Sequence, residues 1–281
     1  MTPLFFGDSA SPLFGALTEP PAGAERGHGV LLCPPIGQEH VRSHWALRQV
    51  ATALGRAGFH VLRFDWFGVG DSAGDLEAAT LERWTQDVKS AAQELKDSTG
   101  LRKLSVVGLR MGAALAALAA PRIKPSVMVF WDPVLDGVRY LDQLRSLQAG
   151  LVADERRYWF AWPAAVRSAL GFAMPELNQA RQSGPDELVG FRFSTSLLSE
   201  IASLDENLIG KLPRVRAVVL DSTGEPGSIE LARALEASGH EVERRVTDAR
   251  GRWSEAGQIE ELLLPGDAVR AITEALVARV A

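Results

Sequence analysis

The sequence predicts an α/β protein with a mostly parallel central sheet, helices on both faces and a mainly helical insertion. Three observations carry that prediction. Short, continuous apolar runs at 30–33, 60–64, 103–107, 127–130 and 217–220 have the pattern of strands buried on both faces. Longer stretches with helical spacing, at 45–57, 81–97, 111–119, 228–237 and 267–280, alternate with them. The alternation then stops between about 135 and 212, where aromatic residues and prolines gather without a buried strand.

Taken in order, Leu4-Phe5-Phe6 and 13–17, with Asp8 and Ser9 between them, predict an antiparallel hairpin that opens the sheet. The five apolar runs follow as parallel strands, the first four joined in turn through helices and the last reached through the insertion. A sixth strand, 241–246, is polar enough to be an edge. Residues 1–134 and 211–281 are expected to form the core, and 135–210 a cap or lid over it. The cap aromatics, Tyr140, Tyr158, Trp159, Phe160, Trp162, Phe172, Phe191 and Phe193, either line a ligand site or build a small core of their own.

Composition excludes several classes. With 30 Lys+Arg against 35 Asp+Glu over 281 residues, and no basic stripe, nucleic acid is not an expected partner. The only cysteine, Cys33, allows neither an intramolecular disulfide nor a cysteine-built zinc cage, and no metal site is expected. Residues 1–7 lack a signal-peptide pattern and no apolar stretch reaches about 18 residues. A cytoplasmic protein without a membrane span is therefore expected, with a homodimer left open. Gly68-x-Gly70-x-x-x-Gly74 lacks dinucleotide-loop spacing and reads as a turn, and no phosphate loop occurs, so no cofactor is expected.

Chemistry concentrates at Gly108-Leu109-Arg110-Met111-Gly112, which runs from a buried strand through a tight turn into a small-residue helix. This resembles the nucleophile elbow of α/β-hydrolases, in which the two glycines let strand and helix pack closely. Cys33-Pro34-Pro35-Ile36-Gly37-Gln38-Glu39-His40 stands where that fold carries its oxyanion loop, and Asp65 to Asp75 resembles the glycine-rich stretch after the next strand. The resemblance implies an α/β-hydrolase fold.

The elbow position that should hold serine holds Arg110. A guanidinium is a donor only and cannot act as a nucleophile, so triad chemistry is lost at its first step. Arg110 also begins a helix, where a cation is disfavoured unless an anion compensates it. Glu39 and Asp132, both expected at the carboxyl edge of the sheet, are the internal candidates. Bidentate pairing with either would fill the site structurally; otherwise Arg110 and free backbone N–H groups would receive a carboxylate, phosphate or sulfate.

The five histidines decide the rest. His28, His60 and His240 stand at strand starts, roughly 17–20 Å from the carboxyl edge where α/β sites collect. None occurs in 248–258, after the last strand. Only His40 and His44 remain near that edge, and the acid position after Leu220 reads Asp221-Ser222-Thr223-Gly224-Glu225. Candidate catalytic residues are therefore Arg110, Glu39, Asp132 and His40; candidate binding residues are Ile36, Gly37, Gln38, Met111, Glu225 and Trp253, the last either pocket wall or core. Ser72 as a displaced nucleophile and Cys33 as a reactive thiol are weaker than a turn serine and a small core residue.

Cys33-Pro34-Pro35, Gly70 to Asp75, Gly108 to Ala113, Trp131 to Leu135, Glu187 to Gly190 and 253–261 together resemble the second type of exosortase A system-associated hydrolase, among serine-aminopeptidase-like α/β-hydrolases. That family also carries arginine in the elbow. This chain departs from it in reading Gln38-Glu39 where an acidic pair is expected. The resemblance implies a bacterial protein of an exopolysaccharide or protein-export locus. Two functions follow: a non-hydrolytic binder of an acyl, glycosyl or anionic small molecule, or an esterase, thioesterase or acyltransferase with His40 or His44 as base and Glu39, Asp132 or Glu225 as acid.

Overall fold

A computed structural model describes residues 1–160, 186–247 and 266–280, with side chains of 151–160 not described. Its main sheet has the order β1-β2-β4-β3-β5-β6-β9-β10. β1 (Thr2–Phe6) and β2 (Leu13–Thr18) form the expected hairpin, Phe5 opposite Phe14, and β2 runs antiparallel to β4 (His60–Phe64). β3 (Gly29–Cys33), β5 (Leu104–Leu109), β6 (Val127–Trp131), β9 (Arg216–Asp221) and β10 (Glu241–Val246) continue it in parallel. Every residue of β3, β5 and β6 is buried, as continuous apolar runs require of strands covered on both faces.

Helices α1 (Gly37–Arg56) and α8 (Gly266–Arg279) cover one face through Leu47, Val50, Leu54, Ile272 and Leu276. α2 (Leu81–Thr99), α3 (Met111–Ile123) and α7 (Pro226–Ala237) cover the other. α2 is bounded as its sequence dictates: Thr80 Oγ1 accepts from Arg83 N at 3.0 Å, and Gly100 closes the helix in the left-handed region. Between β6 and β9 come α4 (Gly137–Phe160), the short strands β7 (Glu187–Leu188) and β8 (Phe191–Arg192), α5 (Thr195–Ala202) and α6 (Asn207–Gly210). The β7–β8 hairpin, turning on Val189 and Gly190 at φ 53° and 80°, is one element that helical spacing did not predict. Among the described residues no helix is long and apolar enough to cross a membrane.

One boundary differs with consequence. α1 begins at Gly37 rather than near 45, so Gln38, Glu39 and His40 occupy a first helical turn and not a loop. The extended Ile36 and a left-handed Gly37 at φ 56° turn the chain, and Glu39 in the first turn suits the positive helix end.

His28 and His60 lie at the amino ends of β3 and β4, and His240 just before β10. His28 is buried, its Nε2 2.9 Å from Ser105 Oγ; burial, with Lys103 nearby, lowers its pKa from 6.5 to about 4. An unfolded chain thus binds a proton that the native His28 refuses, so stability is complete above pH 6.5 and falls as pH drops toward about 4. Urea unfolding from pH 7.5 to 4.5 is expected to show a decline that His28→Gln flattens; an equal decline in the variant would place its origin elsewhere.

Candidate functional site

At the elbow, Arg110 adopts φ 52° and ψ −123°, a conformation rare for a residue with a Cβ. It is held there by Arg110 N donating to Trp131 O and Ala113 N donating to Arg110 O, each at 3.0 Å. Gly112 makes the turn fit, since a Cβ there would run into the main-chain carbonyls of Cys33 and Pro34. Met111 follows fully buried, as the first residue of α3.

The Arg110 side chain is buried and occupied on every nitrogen. Nε donates to Glu39 Oε1 at 3.0 Å, Nη1 to Asp132 O and Glu225 Oε2 at 3.3 Å each, and Nη2 to Gln143 Oε1 at 3.4 Å. Tyr140 Oη donates to the other Glu39 oxygen at 3.0 Å, and the guanidinium carbon lies 5.7 Å from the Tyr140 ring centre. Burial alone would lower the arginine pKa; the charges of Glu39 and then Glu225 outweigh it and raise it above its ordinary value. Burial, and then the Glu39 carboxylate, raise that of Tyr140.

Several expected placements are corrected. The Glu39 contact uses one arginine nitrogen rather than a bidentate fork, because Tyr140 takes the second carboxylate oxygen. Asp132 meets Arg110 through its carbonyl. Its backbone, at φ 42°, turns the side chain toward Ser222, whose N and Oγ donate to it at 2.7 and 2.5 Å. His40 is not partnered by Glu39, Asp132 or Glu225. Its Nε2 lies 3.4 Å from Asp65 Oδ1.

The remaining candidates divide. Ile36 is buried where the chain enters α1, Gln38 is half-buried, and a Cβ on Gly37 would press on Phe193 Cζ at 3.2 Å. Glu225, 39% exposed, is the N-cap residue of α7, on a turn fixed by Gly224 N donating to Asp221 Oδ1 at 2.8 Å. Ser72 Oγ donates to Asp65 O and accepts from Phe14 N, at 2.6 and 2.9 Å. Cys33 is buried, which raises its thiol pKa. Trp253 lies outside the described residues. Sequence does not mark Gln143, nor the partners that Tyr140, Asp65 and Ser222 take; Tyr140 and Gln143 form an i,i+3 pair on α4, a spacing that many surface pairs share.

Comparison with known proteins agrees with this architecture. The family model described as serine aminopeptidase, S33 matches residues 39–225. The mitochondrial palmitoyl-protein thioesterase ABHD10 of Bos taurus is 35% identical over 96 residues, 33% of this chain and 29% of that protein. Its Homo sapiens counterpart is 37% identical over 79 residues, 27% of this chain and 24% of its own length. The matched stretch is thus under a third of the curated relatives' length. Among solved structures, a thermostable carboxyl esterase from Bacillus coagulans in complex with glycerol superposes with TM-score 0.66 at 12% identity, covering 100% of this chain and 99% of that one. Est1E from Butyrivibrio proteoclasticus with bound ferulic acid gives 0.64 at 14%, covering 99% of each. At these identities the likeness is one of fold.

Proposed function

Since the chain belongs to the serine aminopeptidase S33 family, within the α/β-hydrolase superfamily, we propose that it is a non-hydrolytic member that binds a small acyl or glycosyl ligand. The observation that carries this reading is Arg110, set in the elbow with each guanidinium nitrogen engaged by Glu39, Glu225, Asp132 O or Gln143. Neither a nucleophile nor a free cation is offered there. One arginine faces two carboxylates, an excess of negative charge that disfavours an anionic ligand and leaves neutral acyl and glycosyl groups favoured. In this reading 135–210 serves as the cap, and the resemblance to exosortase-associated proteins assigns the ligand to a cytoplasmic step of a bacterial exopolysaccharide or export route.

A second reading, an esterase, thioesterase or acyltransferase, has one observation in its favour: the Asp65 carboxylate orients His40 as it would a general base. It lacks an assigned nucleophile, because Ser72 is engaged by the backbone and Cys33 is buried. The purified protein is expected to remain unlabelled by a fluorophosphonate and to leave ester and acyl-thioester panels at the uncatalysed rate, while short acyl esters or methyl glycosides raise its melting temperature saturably. Turnover abolished by His40→Ala would replace the first reading with the second. Arg110→Ser is expected to create no activity, since His40 faces Asp65; a clear gain would place a base beside the elbow.

A further inference from the structure

We propose that the ligand of the Arg110 cluster is a glycosyl group held by a vicinal diol, with Glu225 and Gln143 as the two side chains that recognise it. The inference rests on the binding role proposed above and narrows its choice between acyl and glycosyl groups. Arg110 is 3% exposed, so a ligand at the carboxyl edge of the sheet meets the side chains over the guanidinium rather than the guanidinium itself. Glu225, at the start of α7, and Gln143, on α4, accept from its two terminal nitrogens, Nη1 and Nη2, and so stand side by side.

Each side chain turns one end to the arginine and keeps the other. Glu225 Oε2 takes the Nη1 bond and leaves Oε1. Because a guanidinium only donates, Gln143 must turn its oxygen toward Nη2 and its NH2 group away. Neither Glu225 Oε1 nor Gln143 Nε2 has a partner among the described residues. Both atoms reach solvent, as the 39% exposure of Glu225 and the half-buried position of Gln143 allow. The Glu225 carboxylate is not used by its own helix either: as N-cap residue it makes no side-chain cap bond, and its main-chain N donates to Thr223 Oγ1 at 3.3 Å. A free acceptor therefore lies beside a free donor.

Charge selects the ligand. Glu39 already answers the arginine at 3.0 Å, so Glu225 is surplus negative charge and gains most from a group that donates to it. An ester or an alkyl chain has no such hydrogen. A vicinal diol gives one hydroxyl hydrogen to Glu225 Oε1 and accepts on the neighbouring oxygen from Gln143 Nε2, without net charge. A carboxylate or phosphate would face Glu225 itself, and an ammonium would face the Gln143 N–H groups and the guanidinium behind them.

Methyl glucoside, methyl galactoside and methyl mannoside are the probes, titrated into the full chain and read by melting temperature and by the side-chain amide resonances of Gln143. At least one is expected to saturate and to shift those resonances. For that glycoside, removing either of two adjacent ring hydroxyls should weaken binding by at least about tenfold, a loss of about 1.4 kcal/mol, while removing a third changes it little. Glu225→Gln and Gln143→Met should each weaken it by a similar factor; should either fail to fold, the deoxy series on the wild-type chain still decides. Indifference to every single deoxygenation, undiminished affinity in both variants, or competition by acetamide or ethylamine as effective as the glycoside overturns the diol site. Saturation by a short acyl ester and by no glycoside up to tens of millimolar also overturns it, and leaves the binding role standing. Turnover abolished by His40→Ala overturns the non-hydrolytic role instead, and the diol site stands if the deoxy pattern holds.

Discussion

Replacing Arg110 with alanine is expected to destabilise the fold by about 3–5 kcal/mol, the cost of removing one partner from a buried ion pair. Glu39, 1% exposed, would lose the charge opposite it and keep the Tyr140 hydroxyl as a donor. The loss should come mainly from that stranded carboxylate, because Glu225 can turn toward water. Two controls separate this cause from lost packing. Arg110→Met combined with Glu39→Gln removes both charges and should cost less than Arg110→Ala alone. The deficit of Arg110→Ala should also shrink at low pH. A carboxyl stranded in the interior without a counter-charge is better tolerated protonated than ionised, so the variant is least impaired in acid and worsens as pH rises. Urea melts at pH 4.5 and 8 measure this. A cost below about 1 kcal/mol at both would mean that the cluster is loosely held and that the elbow arginine can be given up to a ligand.

Gly112→Ala is expected to cost at least about 3 kcal/mol, the upper end of overpacking penalties, and to reduce the yield of folded protein. The added methyl would meet the main-chain carbonyls of Cys33 and Pro34, not a flexible side chain that could swing aside. Relief would need α3 to lift from β3, and with it the small-residue packing of Ala113, Ala114, Ala116 and Ala117. Gly210→Ala is the matched control, since a Cβ there meets nothing within 4 Å and should change stability by no more than about 0.5 kcal/mol. Similar melting curves for the two variants would show that the strand-turn-helix is not as close as its geometry requires.

Both expectations begin with residues legible in the sequence, and the limits of that legibility are physical. Continuous apolar runs mark β3, β5, β6 and β9 because both sheet faces are covered. Helical spacing alone puts the start of α1 near 45 because Pro34-Pro35-Ile36-Gly37 reads as loop, whereas the left-handed Gly37 starts a helix at once. With that start, Glu39 and His40 leave the expected oxyanion loop for opposite commitments on adjacent helical positions, one to Arg110 and the other to Asp65.

The sequence by itself determined the α/β alternation, the elbow between Gly108 and Gly112, the arginine in place of a serine, and the histidines at the amino ends of their strands. These are local properties: side-chain period, glycine where two backbones meet, and residue identity. Only the tertiary structure decided who answers the Arg110 charge. Glu39, Gln143 and Glu225 come from positions 71, 33 and 115 residues away, and the left-handed backbone at Asp132 gives its carboxylate to Ser222 instead. Pairing of buried polar groups depends on side-chain direction after the sheet and α4 have packed, and side-chain period carries no record of that direction.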